Sequence, residues 1–309
     1  MTDSTTPHQV FLSELVQARL LVETGVRGVY GRSGAFERVI DGIERVVGLA
    51  SSPDKPEEFR FPPVVTRKNF EKSGYMKSFP QLAGSLHVFK GTDKAHQELL
   101  ATIEAGDDWA KALVPADVVL KPAACYPVYP MATGTVPEGG RLFDVMSYCF
   151  RHEPSDDPAR MQLFRMHELI RMGTPTDVAA FREIWFERGQ RVLKDLDLDA
   201  VPVVANDPFF GRGGKVLAIS QRELELKFEL VVPICSETEP TAVVSLNYHQ
   251  DHFAHLFDIR TSSGEYAHTS CIGFGLERIA LAMLKKHGLD SGRWNPALRG
   301  RLGFAQAGA

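Results

Sequence analysis

A chain of 309 residues, 44% hydrophobic and 24% charged, is long enough to bury a substantial core and has the composition of an ordinary globular protein, which excludes collagen-like and wholly disordered classes. Its 35 Lys and Arg against 39 Asp and Glu leave a formal charge of -4, so there is no broad positive field for nucleic acid, although a local patch stays open. Cys125, Cys149, Cys235 and Cys271 are too widely spaced for a disulfide framework, and with no signal peptide or bilayer-length apolar run the expected compartment is a reducing cytoplasm.

Apolar positions at Phe11, Leu15, Ala18 and Val22, with Val10 and Leu21 beside them, predict a helix over 8–24. A second helix over 34–50 carries a broad face of Phe36, Val39, Ile40, Ile43, Val46 and Val47. Arg60 to Val65 reads as a short strand, and Pro62-Pro63 place it at an edge or strand end because neither can donate to a ladder. Residues 74–135 are the least patterned, with a helix expected at 95–106 and a turn-rich run from Lys121 to Pro127. Strands at 143–153 and 161–171, joined by the polar Pro154 to Arg160 loop, suit an antiparallel pair.

Thr174 can cap a helix whose first residue is Pro175, and Asp177 can complete a capping box. That helix extends to Leu196, with Val178, Phe181, Ile184, Trp185, Val192 and Leu193 on its apolar side; packing is the default reading and a partner surface the alternative. Strands at 224–232 and 241–248 and a strand-to-helix transition over 269–286 complete an α+β pattern, an antiparallel sheet flanked by helices. The divisions expected are an N-terminal helical extension at 1–29, one main domain at 30–290 and a C-terminal tail at 291–309.

Two stretches carry chemistry: Cys149-Phe150-Arg151-His152-Glu153 and Gly273-Phe274-Gly275-Leu276-Glu277-Arg278. In an extended segment Arg151 and Glu153 share a face because strand side chains alternate, so one can meet a phosphate while the other accepts from an adenine amino group. Arginine suits phosphate because its planar fork makes paired charge-assisted bonds. Gly273 and Gly275 lack a Cβ and permit close approach, but their spacing is neither a Walker loop nor a dinucleotide fingerprint. Singly, each of these residues also has an ordinary reading: Glu277 and Arg278 can face water, and free cysteines commonly sit in cores.

The ordered set of Phe150-Arg151-His152-Glu153, a polar loop, Arg160 and Phe164 resembles motif 2 of class II aminoacyl-tRNA synthetases, and Gly273 to Arg278 resembles motif 3. The helix at 34–50 with its proline-bearing strand resembles motif 1, which usually lies at the dimer interface of those enzymes. The resemblance implies a class II catalytic domain at 30–290, with Arg151, Arg160 and Arg278 holding a bent ATP triphosphate, Mg²⁺ offsetting its charge, and Phe164 stacking on adenine. Glu229, in a late strand, is a candidate for metal or substrate contact, with an exposed strand carboxylate as the alternative.

Through most of residues 30–286 the sequence more closely resembles the amino acid:[carrier protein] ligases, relatives of the catalytic core of atypical zinc-dependent seryl-tRNA synthetases. Their metal pattern falls on Cys125 in Ala124-Cys125-Tyr126-Pro127, Glu168 in Met166-His167-Glu168 and Cys271 in Ser270-Cys271-Ile272-Gly273. It implies Zn²⁺ on two thiolates and a carboxylate, with one position left for water or a substrate amine.

The implied reaction activates a small amino acid, commonly glycine or alanine, as its adenylate and transfers it to the phosphopantetheine thiol of a carrier protein, in a homodimer with no membrane attachment. Cys149 and Cys235 match no zinc position and read as core; His152, His167 and His268 receive no catalytic role, and Ser245 and Asn247 are either substrate wall or strand packing. Residues 1–29 have room for one helix, not the coiled-coil arm of many seryl-tRNA synthetases, which with the mild acidity makes tRNA the less expected acceptor. A minimal seryl-tRNA synthetase-like enzyme and a non-enzymatic synthetase-like regulator are the other readings.

Overall fold

A computed structural model describes residues 6–304. The main sheet has seven strands, β1 (Glu57–Arg60), β2 (Arg141–Phe150), β3 (Leu163–Gly173), β4 (Val201–Val204), β5 (Lys227–Val232), β6 (Thr241–Gln250) and β7 (His268–Gly275), in the spatial order β4-β5-β6-β7-β3-β2-β1. Neighbours are antiparallel except β1, which runs parallel to β2 at the edge. The longer helices are α1 (Pro7–Gln17), α2 (Gly34–Ser51), α3 (Asp93–Glu104), α4 (Pro175–Asp195), α5 (Gly211–Glu223) and α6 (Leu276–His287). A small antiparallel sheet of Val64–Thr66, Val114–Leu120 and Ser85–Val88 stands apart from the main one.

Strand alternation gives each central strand two duties. Leu169 of β3 and Ile272 and Phe274 of β7 join a core with Phe11, Ile40, Ile43, Trp185, Leu193 and Leu281 from α1, α2, α4 and α6. Their neighbours Ile170 and Cys271 face the other way, into a second cluster with Tyr129, Phe253 and Phe257. The C-terminal Leu298 and Leu302 are buried in the first core, as are Phe11 and Leu15. The ends of the two terminal segments, 1–5 and 305–309, lie outside the described residues.

Several expected boundaries move for local reasons. The first helix stops at Gln17 rather than 24 because Arg19 turns left-handed at φ 55° and Leu20 N–H bonds back to Leu15 C=O, which frees Leu21–Glu23 to pair with Tyr30–Arg32. Arg60 to Val65 is two strands in two sheets, since Pro62-Pro63 cannot continue the ladder to β2. Thr174 caps α4 with both capping-box bonds present, and Trp185 packs edge-on to Phe274 with centroids 6.4 Å apart. Ile184, expected on the apolar side, is 49% exposed on the far side of that helix.

Candidate active site

On the sheet face turned away from the helical core lies a cavity of about 510 Å³, walled by β3, β5, β6, β7, the turn through Pro122–Tyr126 and the residues around Tyr75 and Phe209. Among the residues singled out in the sequence, Cys125, Arg151, Glu153, Phe164, Glu168, Glu229, Cys271 and Arg278 all line it. Arg160 does not; it stands outside the wall, half-exposed, with Glu153 at 3.6 Å and Asp157 at 3.7 Å.

Within the cavity wall the ligand atoms of Cys125, Glu168 and Cys271 lie within 4.8 Å of one another, all three residues buried. The register explains this meeting: Glu168 stands opposite Gly273, two residues from Cys271 on the same face of β7. A Cβ at position 273 would sit 2.9 Å from Met166 Cε and 3.3 Å from Glu168 Cγ, so glycine there leaves room for the carboxylate. Glu168 Oε1 accepts from Ala124 N–H at 2.7 Å, while Oε2 is buried with no hydrogen-bond partner among the described residues. Burial and the neighbouring Cys271 sulfur push the Glu168 carboxyl up to about 7. Hydrogen bonding to Cys125, His249 and Asn247 pulls the Cys271 thiol well down, and the same Cys271 contact with burial pushes Cys125 up. Two sulfurs and one free carboxylate oxygen are a donor set that fits a borderline-soft divalent ion such as zinc.

Two of the three arginines, Arg151 and Arg278, reach the cavity from different elements. β2 ends at Phe150, and a turn in which Glu153 N–H bonds to Arg151 C=O replaces the expected extended strand, so strand alternation does not apply to residues 151–153, although both side chains reach the cavity. Arg151 donates to Pro122 C=O at 3.2 Å and lies 5.4 Å from the centre of the Phe164 ring. Arg278, at the start of α6, donates to Ala159 C=O at 2.8 Å and Ala242 C=O at 3.0 Å. Burial first, then the charges of Arg151 and Arg160, lower the Arg278 pKa below the usual guanidinium range. The base of the loop is fastened by Arg151 N–H to Gln162 C=O and by Gln162 N–H to Gly28 C=O, at 3.0 and 2.7 Å.

Glu277 does not face water as a plain helix start would have it, and Arg278 is partly exposed on the cavity wall. Glu277 is 2% exposed and accepts from Arg165 N–H at 2.6 Å, Arg165 Nε at 2.9 Å and an Arg32 terminal nitrogen at 3.1 Å, while Glu37 of α2 takes the other side of Arg165. Glu229 is no free strand carboxylate either: Lys227 bridges it at 3.2 Å to Asp207 at 2.5 Å. Asp207 and Lys227 carry no motif and escape sequence reading. His249 escapes it too, although its ring nitrogen lies 3.8 Å from Cys271 Sγ. Cys149 is buried as expected, whereas Cys235 is only half-buried and sits beside His8 and Asp157.

The chain is 47% identical over 306 residues to amino acid--[acyl-carrier-protein] ligase 2 of Bradyrhizobium diazoefficiens, a match covering 98% of this chain and 91% of that protein. It is 46% identical over 290 residues to ligase 1 of the same organism, covering 93% and 88%. Type-2 serine--tRNA ligase of Methanopyrus kandleri is 28% identical over 200 residues, 60% of this chain and 37% of that one. Among solved structures, M. kandleri SerRS, from its complex with A. aeolicus tRNASec, superposes at a TM-score of 0.80 with 21% identity, covering 94% of this chain and 60% of that one. Giardia lamblia prolyl-tRNA synthetase in complex with prolyl-adenylate gives 0.69 with 16% identity, covering 95% and 55%. The chain thus spans between half and two thirds of these solved chains, and the shared fold is that of class II aminoacyl-tRNA synthetases. No protein-family model matches the chain.

Proposed function

The chain belongs to the amino acid--[acyl-carrier-protein] ligase family, and from that premise we propose that it activates glycine or alanine with ATP and passes the aminoacyl group to the phosphopantetheine thiol of a carrier protein. The observation that carries this reading is one cavity lined by two chemically different sets of groups. One set is the Cys125, Glu168 and Cys271 donor trio; the other is Arg151 and Arg278, which form no ion pair with a carboxylate among the described residues.

In the first step a carboxylate oxygen of the amino acid attacks the α-phosphorus of ATP and pyrophosphate leaves. Arg151 and Arg278 hold the phosphates and offset the charge that builds on their oxygens, and Arg160 closes in from the rim as the loop folds over the nucleotide. Phe164 offers a face to adenine and Glu153 an acceptor for its amino group. Glu229, whose Oε1 faces Lys227 at 3.2 Å, is the candidate residue to hold a Mg²⁺, which would offset triphosphate charge. Cys125, Glu168 and Cys271 would hold Zn²⁺, which when bound supplies a Lewis-acid position for the substrate amine. Tyr126, Tyr129 and Phe253 pack behind the trio, with the last two stacked at 3.9 Å, and that wall supports a small side chain. In the second step the phosphopantetheine sulfur attacks the acyl carbon, the thiol proton is lost, AMP leaves and a thioester forms.

A homodimer built on α2 and β1 belongs to the same proposal, β1 being an open edge of the main sheet. So does a cytoplasmic site of action; among the described residues no helix is long and apolar enough to cross a membrane. The acceptor is tested by offering labelled glycine or alanine with ATP to phosphopantetheinylated carrier, to the same carrier without its arm, and to tRNA. Label on the armed carrier alone, released by hydroxylamine, is expected; label on tRNA alone would favour the synthetase reading.

A further inference from the structure

β6 is irregular beside the donor trio. Asn247 stands opposite Cys271 and Tyr248 opposite Ser270, yet the next pair is Gln250 with Thr269, so His249 has no partner in that ladder. Gln250 takes a left-handed φ of 53° to accommodate the extra residue. Bulges of this kind bend a strand and re-aim one side chain. Here the imidazole of His249 is delivered to a sulfur: Nε2 lies 3.8 Å from Cys271 Sγ, and Nδ1 lies 3.1 Å from Thr269 Oγ1. Tyr129 and Phe253 meet the ring edge-on, with centroids 6.2 and 5.0 Å away, so both nitrogens and both flanks are engaged.

The chemistry of the sulfur decides the tautomer. A thiolate serving as a metal donor has no proton to give, so the proton of that contact must sit on Nε2. In the neutral ring that tautomer leaves Nδ1 placed to accept from the Thr269 hydroxyl at 3.1 Å. The reverse tautomer would point a lone pair at a thiolate. Asn247 Nδ2 donates to the same sulfur from 3.7 Å, so Cys271 is approached by two donors from one strand.

We propose that His249 is a positioning residue for the metal centre, its Nε2–H fixing the Cys271 sulfur as a donor and the β6 bulge holding the ring in place. The proposal rests on the reading of Cys125, Glu168 and Cys271 as a metal centre, and it gives His249 no contact with the reacting atoms.

The test is zinc affinity of the full chain by competition with a chromophoric chelator, together with the thiolate-to-metal absorption of the Co²⁺-substituted protein. His249→Ala is expected to bind zinc about 10–100-fold more weakly, the usual effect of removing a partner from a metal ligand, and to shift the cobalt band. His249→Gln keeps a side-chain N–H and should recover most of the affinity. A folded His249→Ala protein with wild-type zinc affinity and an unchanged cobalt spectrum would overturn the proposal. Equal loss in both variants would do so as well, because packing rather than the donor would then be holding the sulfur. Cys125→Ser separates the two levels: zinc binding lost there but unchanged in His249→Ala sinks this inference alone, whereas no zinc bound by the wild type sinks the metal reading with it.

Discussion

On the proposed reading the adjacent Glu277 and Arg278 have opposite jobs, and exchanging each in turn separates them. Glu277, in the first turn of α6, has a side chain 2% exposed and holds Arg165, itself 8% exposed, and Arg32. Removing one side of a buried ion pair costs about 3–5 kcal/mol, and because Glu37 still holds Arg165 the lower end of that range applies. With an unfolding entropy of about 2.1 cal/mol/K per residue, ~3 kcal/mol in a chain of 309 residues lowers the melting temperature by about 5 °C. Arg278 instead holds two backbone carbonyls and is repelled by Arg151 and Arg160, so its loss is nearly balanced. Arg278→Ala should therefore change stability by only ~1 kcal/mol, about 1.5 °C. On the proposed mechanism its effect falls on chemistry, where deleting one group aimed at developing charge costs about 10²–10³ in rate. Calorimetry and ATP–pyrophosphate exchange on Glu277→Gln and Arg278→Ala read the two quantities separately. A thermally silent Glu277→Gln, or an Arg278→Ala whose activity falls only as far as its stability, would refute this division of labour.

Gly273→Ala presses a methyl group against Met166 and Glu168, so zinc affinity and exchange should drop about tenfold or more with little change in melting; a variant with unchanged zinc affinity would contradict the clearance argument. Burial alone would raise the Asp144 carboxyl, but His167 at 2.8 Å, Ser51 at 3.1 Å and the Arg60 charge hold it below the ordinary range. A depressed folded pKa contributes stability that is full above the unfolded value near ~3.9 and fades as pH falls through the folded one. The melting gap between wild type and Asp144→Asn should thus be widest near neutrality and close in acid; a gap that widened on acidification would contradict the assignment. Thr174→Ala removes the α4 cap and should cost about 1 kcal/mol, a fall of ~1.5 °C in melting temperature, with exchange activity unchanged.

What could be read from the sequence was what is local. The α4 cap is written in Thr174-Pro175-x-Asp177, and the α2 face in its apolar spacing, so both are legible in the sequence. The grouping of Cys125, Glu168 and Cys271 was legible only through family resemblance, because their meeting depends on the register of β3 against β7, which no residue spacing encodes. Ladder irregularities were out of reach for the same reason: the β6 bulge that turns His249 to Cys271 shows only once Gln250 is found opposite Thr269. The Lys227 bridge to Asp207 and Glu229 joins β5 to a loop twenty residues earlier, and charges at that distance carry no pattern. Pro62-Pro63 mark a strand end at the sheet edge, as their missing donors imply, but that the chain then enters a second sheet at Val64 is not written in them.

The reading depends most on the donor trio and the arginines serving one reaction. Amino-acid-dependent ATP–pyrophosphate exchange, measured on zinc-loaded wild type, chelator-treated wild type and Cys125→Ser across a panel of amino acids, addresses that directly. The account predicts strong exchange with glycine or alanine in the zinc-loaded enzyme, restored to the chelated one by zinc, and little exchange in a Cys125→Ser protein that melts as a folded domain. Full exchange in folded, zinc-free Cys125→Ser, or none in folded, zinc-loaded wild type, would contradict it.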